Sequence, residues 1–158
     1  MTIRPACGED AEAITRTLLA SAEHHARLDP ERYFVPEAEI LLTRYRDRLR
    51  SSDVTPARIM LVAEHDGEVV GFIEATLDVS QDPMHKNLRL CHVGEIAVLA
   101  LHRNKGIGTR LLGAVEDWGR RQGADFTSLE YHASNTRAGG FYQKMHYRIA
   151  AVTVIKRL

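Results

Sequence analysis

Apolar positions along this chain switch between a helical period and short unbroken runs. Ile14, Leu18 and Leu19 stand at helical spacing behind Gly8-Glu9-Asp10, so a helix is expected with Asp10 as its cap, fading near Leu28. Asp29-Pro30 then breaks it, because the residue before a proline is pushed out of the helical region. After a loop bearing two aromatics, LDPERYFVP over 28–36, a second amphipathic helix is predicted for 37–50, with Ile40, Leu41, Tyr45 and Leu49 on one side.

The β-like runs frame a third helix. Residues 2–6 are short and β-compatible, RIMLVAE (58–64) reads as a strand, Asp66-Gly67 as a hairpin turn and 69–79 as the return strand. A polar loop, SQDPMHKN (80–87), leads into a long β-like run over 88–99. Residues 106–122 then carry Ile107, Leu111, Leu112, Val115 and Trp118 on one helical face, closed by Arg120, Arg121 and Gly123. Residues 126–131 read as a strand, Ser134 or Asn135 caps a short helix ending near Met145, and 147–156 read as the last strand. The order β-α-α-β-β-β-α-β-α-β predicts the α/β (α+β) class, a mixed sheet with helices on both faces. No repeat, low-complexity stretch or Gly/Ser/Pro linker divides the 158 residues, so one domain spanning 1–158 is expected.

Composition then narrows the partners. Hydrophobic residues make up 44% and charged residues 27%, which suits a globular chain able to bury a core without disulfides or metals. Basic and acidic residues balance at 21 each, so no global excess exists to hold nucleic acid or an anionic membrane. Neither is expected as a partner. The amino terminus, MTIRPACGEDAEAI, lacks the apolar core of a signal peptide, and no long apolar run predicts a membrane span. Cys7 and Cys91 form no CxxC pair and are expected to be reduced and structural, which fits a cytoplasmic protein.

The stretch HRNKGIG (102–108) places two basic residues and Gly-x-Gly directly ahead of the third helix. The first amides of a helix have no internal partner and carry the positive end of its dipole, so such a start suits an anion. Three readings compete: a plain basic turn, a dinucleotide-binding turn, and a coenzyme A pyrophosphate site. The dinucleotide fingerprint would need a third glycine where Leu111 stands, and no GxxxxGK[ST] loop is present.

Two quoted segments carry a resemblance. Arg103-Asn104-Lys105-Gly106-Ile107-Gly108 is similar to motif A of the GNAT acetyltransferase superfamily, Gln/Arg-x-x-Gly-x-Gly/Ala, and the preceding EIAVLALH resembles that family's fourth strand. Downstream, NTRAGGFYQKMHY (135–147) resembles the family's N-x-x-A-x-x-F-Y-x-x-x-G-F segment, matching at Asn135, Ala138, Phe141 and Tyr142. The resemblance runs across nearly the whole chain and implies a central, mostly antiparallel sheet splayed around a cofactor cleft. It departs at His146, where the family has glycine, and at Gly139-Gly140 inside the short helix. Histidine tolerates the left-handed conformation expected at 146.

The resemblance implies an N-acetyltransferase that uses acetyl-CoA as cosubstrate and a primary amine as acceptor, in a ternary complex without a covalent enzyme intermediate and without a metal. A non-catalytic acyl-CoA sensor on the same fold is the alternative. By the same resemblance, Ile96, Ala97 and Val98 offer backbone groups to the pantetheine arm. Arg103, Asn104, Lys105, Gly106, Ile107, Gly108 and Thr109 cradle the pyrophosphate, and Asn135 orients the arm or simply caps its helix. Tyr142 is placed by its motif to protonate the leaving thiolate. For the base there are two candidates on one strand, Glu95 and His92. Period two puts them on opposite faces unless a bulge intervenes, and His92 has the better unperturbed pKa, about 6.5.

The acceptor cleft is expected to be walled by residues 21–34, with His24, Arg27, Tyr33 and Phe34 as candidates. His24, His25, His65, His85, His102, His132 and His146 lack metal-ligand spacing and suggest no site, and TRYRDRLR (43–50) reads most simply as a solvated helix face. Homodimers are common among proteins of this kind, although nothing in the sequence shows one.

Overall fold

The computed structural model describes residues 1–50, 57–79, 84 and 86–157. Five strands form one sheet in chain order: β1 (Thr2–Pro5), β2 (Arg58–His65), β3 (Glu68–Val79), β4 (Arg89–Val98) and β5 (Phe126–Leu129). The first three junctions are antiparallel and β4–β5 is parallel, so the sheet is mixed and mostly antiparallel. The helices are α1 (Ala11–Leu28), α2 (Ala38–Arg50), α3 (Ile107–Arg121) and α4 (Thr136–Lys144), with single 3₁₀ turns at Gly8–Asp10 and Ala100–His102. Among the described residues no helix is long and apolar enough to cross a membrane.

The two faces of the sheet bury two cores, because β2 and β3 are apolar on both sides. Ile14, Leu18 and Tyr45 of α1 and α2 cover Met60, Val62 and Phe72 on one face. On the other, Ile107, Leu111, Leu112, Val115 and Trp118 of α3 cover Leu61, Ala63, Ile73, Cys91 and Val93. Each fully buried aliphatic side chain contributes about 1.5–3 kcal/mol by leaving water. α3 lies close to β4: a Cβ on Gly119 would stand 2.9 Å from Cys91 Cβ, so only glycine fits there. The Asp66-Gly67 turn has both central residues left-handed, at φ 53° and 80°, which matches the twist of a tight hairpin.

Three expectations change. Asp10 makes no side-chain cap bond to α1. Its carboxylate accepts from the Cys7 amide at 2.8 Å and pairs with Arg4 at 2.8 and 2.9 Å, because the preceding 3₁₀ turn brings it over β1. The 43–50 segment is not only a solvated face. Tyr45 is 2% exposed, and Arg48 turns inward to both carboxylate oxygens of the buried Glu74 at 2.8 Å. Last, 147–156 form no strand among the described residues.

Burial alone would raise the Asp10 pKa, but hydrogen bonds from Arg4 and Cys7 and the Arg4 charge bring it below the ordinary carboxylate value. A carboxylate depressed on folding adds stability above its unfolded pKa and loses it as pH falls through the folded one. Arg4→Ala should therefore destabilise the fold by about 1–3 kcal/mol at neutral pH, discounted for the partly solvated guanidinium. The same variant should flatten the acid limb of the stability curve below pH of about 4, where Asp10 titrates. Urea melts at several pH values would read both; an unchanged acid limb would mean the pair is not a stabilising one.

Candidate active site

β4 and β5 pair only from Leu90↔Phe126 to Val93↔Leu129. Beyond Val93 the two strands part. The parting coincides with a bulge: Ala75 faces Val93 and Glu74 faces Glu95, so Gly94 is the extra residue on β4. The bulge also settles the facing of the two candidate bases. Thr76 pairs with His92 and Glu74 with Glu95, and residues two apart on β3 share a face, so His92 and Glu95 point the same way.

A cleft of about 670 Å³ opens where the strands separate. Ile96, Ala97 and Val98 form its β4 wall, and Arg103, Asn104, Gly106, Ile107, Gly108 and Thr109 its α3 end. Asn135 and Tyr142 line it from α4, and Glu95 lines it from the bulge. Two expected residues stand apart. Lys105 is exposed and does not line the cleft. His92 does not line it either; its Nδ1 lies 3.1 Å from Ser128 Oγ on β5, within hydrogen-bond reach.

The α3 end is built for negative charge. Asn104 and Gly106 are left-handed at φ 62° and 77°, which turns successive amides outward. Gly106 caps α3 without a side-chain bond, and no acid lies in the first turn. Burial, then the charges of Arg137 and Arg27, pull the Arg103 pKa below its ordinary value. Guanidinium groups that repel one another at a helix start mark a place where an anion is favourable. Arg103 is also a brace: its Nε donates to the Val98 carbonyl at 2.8 Å, fixing the end of β4 to the turn. Arg137 bridges to Asn104 Oδ1 at 3.1 Å.

α4 presents the opposite wall. Asn135 Oδ1 accepts from the Ala138 amide at 3.1 Å, so it caps the helix and faces the cleft at once. Gly139 lets Tyr131 lie against the helix, since a Cβ there would stand 3.2 Å from the Tyr131 ring, while Gly140 lines the cleft. His146 ends the helix at φ 63°, the left-handed geometry anticipated from its place in the motif. Tyr142 is 8% exposed and packs with Tyr131, Phe141 and Tyr147. Burial pushes its pKa up to about 12, so the hydroxyl keeps its proton at neutral pH.

Glu95 is solvent-exposed and lines the cleft. Desolvation, then the charge of Glu74, raises its pKa, and Arg44 and Arg48 oppose the rise.

The far wall brings together residues that no motif linked. Ser21, His24 and His25 of α1 line the cleft, and Asp29 Oδ2 lies 3.1 Å from His132 Nε2, 103 residues away. The Ser134 amide donates to His132 Nδ1 at 3.3 Å, which leaves the proton on Nε2 for Asp29. Tyr33 lies between them, its ring 5.3 Å from that of His25 and 6.1 Å from that of His132. Burial, then His24 and His132, lower the His25 pKa. The α1–α2 connection is thus fastened to the β5–α4 connection. Phe34, a suggested wall residue, is 78% exposed, and His85 lies outside the described residues.

The chain resembles known proteins in sequence and in fold. The uncharacterized N-acetyltransferase YhfO of Bacillus subtilis is 30% identical over 89 residues, 56% of this chain and 58% of that protein. The match thus spans little more than half of that relative's length. A mutant of the BH1408 protein of Bacillus halodurans superposes with a TM-score of 0.90 at 20% identity, over 100% of this chain and 99% of that one. The aminoglycoside N-acetyltransferase AAC(6')-Iy in complex with CoA gives 0.73 at 18% identity, over 99% and 93%. The model of the acetyltransferase (GNAT) family matches residues 19–147, so the chain belongs to that family.

Proposed function

We propose that residues 1–158 are one N-acetyltransferase domain that moves the acetyl group of acetyl-CoA to a primary amine, by direct attack in a ternary complex. The observation that carries this reading is the splayed cleft, with cationic left-handed backbone at one end and a protonated phenol and the Glu95 carboxylate along its walls. The residues fit coenzyme A. The turned-out amides at 104–109 with Arg103 suit a pyrophosphate, and the unpaired side of β4 beyond Val93 suits an amide-bearing arm.

Acetyl-CoA supplies an activated thioester. Glu95 takes a proton from the acceptor ammonium, directly or through one water, and the freed amine attacks the acetyl carbonyl. Tyr142 Oη would give its proton to the departing thiolate and recover one from the nitrogen, which loses its second proton as the amide forms. Backbone N–H groups near Val98 would stabilise charge developing on the acetyl carbonyl oxygen. A CoA sensor has no use for Tyr142 and Glu95 placed this way, so transfer is the better reading. The free thiols Cys7 and Cys91 support a cytoplasmic setting. His25, Tyr33 and the Asp29–His132 bridge are in position to wall an acceptor, and they fit small amines, amino acids and peptide amino termini alike.

Titration calorimetry tests the cofactor half. Acetyl-CoA and CoA should bind in the micromolar range and NAD should not. Arg103→Ala should weaken binding about tenfold or more, by removing a charged partner and the brace on Val98. Gly108→Trp should abolish it by filling the cleft mouth. If neither CoA form bound, HRNKGIG would be an ordinary basic turn.

A further inference from the structure

Two glutamates stand directly opposite one another in the sheet. The extra residue Gly94 brings Glu95 of β4 level with Glu74 of β3, and residues paired in this way share a face. Like charges in that position destabilise a sheet. Sequences that fold well break such local rules at functional sites. The two acids also differ in their surroundings. Glu74 is 6% exposed and held by side chains from α2 and β2, whereas Glu95, among the described residues, makes no hydrogen bond or ion pair.

α2 makes the difference. Arg48 Nη1 donates to both carboxylate oxygens of Glu74 at 2.8 Å, and its guanidinium carbon lies 5.5 Å from the centre of the Tyr45 ring. Tyr45 Oη donates to Glu74 Oε2 at 3.4 Å, and Arg58 Nε stands 3.6 Å from Glu74 Oε1. Arg48 is also within reach of Glu95 by charge. Desolvation, then Glu74, raises the Glu95 pKa, while Arg44 and Arg48 lower it. On the same side lie His92 of β4, His24 and His25 of α1, and Glu130 just after β5, the last three lining the cleft with Glu95. The Arg48 charge is thus felt by two carboxylates, and its hydrogen bonds go to Glu74.

We propose that Glu74 is a positioning residue: it holds the Arg48 guanidinium and keeps it from pairing with Glu95, which leaves the Glu95 carboxylate open to the acceptor amine. This role rests on Glu95 being the base of the proposed transfer. An arginine paired with Glu95 would occupy the oxygens that must receive the proton, and it would favour the charged carboxylate, which makes a weaker base. The bulge and Glu74 work together. Gly94 turns Glu95 towards the face that α2 covers with arginines, and Glu74 takes up one of them.

The test joins an NMR titration of side-chain carboxyl carbons, which needs no turnover, to the pH profile of kcat/KM. In Glu74→Gln the Glu95 transition should move down by about one pH unit or more, the usual effect of an opposite charge brought to a carboxylate. The acid limb of kcat/KM should move with it. The rate constant kcat should fall about tenfold or more while KM for acetyl-CoA holds. Glutamine keeps the shape of the side chain and an acceptor for Tyr45, and the Arg48 side chain is 33% exposed, so water can receive it and the variant should fold. The double variant Glu74→Gln, Arg48→Met removes the competing cation as well, and loss of both members of a buried pair is often neutral for stability. It should return the transition and the rate close to wild type. The wild type gives a separate reading: the Arg48 Nε–H signal should not follow the Glu95 transition. A Glu95 transition left in place in Glu74→Gln, a double variant as slow as the single one, or an Arg48 signal that follows Glu95 in the wild type would each overturn the proposal. A Glu95 transition that moves while the rate profile stays would bear out the hold on Arg48 and remove Glu95 as the base.

Discussion

Tyr142→Phe should give a folded protein that still binds acetyl-CoA but turns over about a hundredfold or more slowly, the usual effect of losing a positioned general acid. The substitution deletes one oxygen from a packed ring and leaves the contacts with Tyr131, Phe141 and Tyr147. Binding and melting temperature should therefore hardly move. The loss should fall on kcat and leave KM nearly alone, because the proposed partner of the hydroxyl is a thiolate that exists only as the reaction proceeds. Burial pushes the phenol up to about 12, so at neutral pH it is a donor. A free-thiol assay over a panel of primary amines reads the rate. Unchanged turnover with an unchanged pH profile would assign Tyr142 to packing alone.

Glu95→Gln tests the other proton. A base must be ionised to work, so wild-type kcat/KM should fall as pH drops through a pKa lying above the ordinary carboxylate range. The variant should lose that limb together with about a hundredfold of rate. Stability should move the opposite way. A carboxyl whose pKa is raised on folding binds its proton more tightly when folded, so its ionised form costs stability as pH rises above the unfolded value. Glutamine removes the charge, and the variant should melt no lower than the wild type at neutral pH. A slower enzyme that is equally or more stable separates a catalytic role from a structural one. Full activity in Glu95→Gln would turn attention to His92, whose Nδ1 lies within reach of Ser128.

Local chemistry was legible where it depends on near neighbours. The Asp66-Gly67 turn, the left-handed start of α3, the apolar stripe of α3 and the Asn135 cap all follow from residues within about four positions of one another. The two quoted motifs could therefore be placed on a turn and a helix before any tertiary contact was known. Arg48 shows the limit: its charge pattern reads as a solvated face, yet Glu74 lies across the α2–β3 interface and draws it inward. Asp10 shows another, since a capping residue was taken by a nearer cation, Arg4.

The sequence by itself determined the order of the elements as far as α4, the apolar faces they bury and the backbone geometry of the turn ahead of α3, because each is set by short-range sterics and periodicity. Only the tertiary structure decided that the bulge at Gly94 turns Glu95 to the side of His92, that β4 and β5 part after Val93, and that His132 meets Asp29. It also decided that residues 147–156, a strand by composition, form none among the described residues. Strand pairing and charge pairing join residues far apart in sequence, and a strand exists only where a second edge is there to receive its hydrogen bonds.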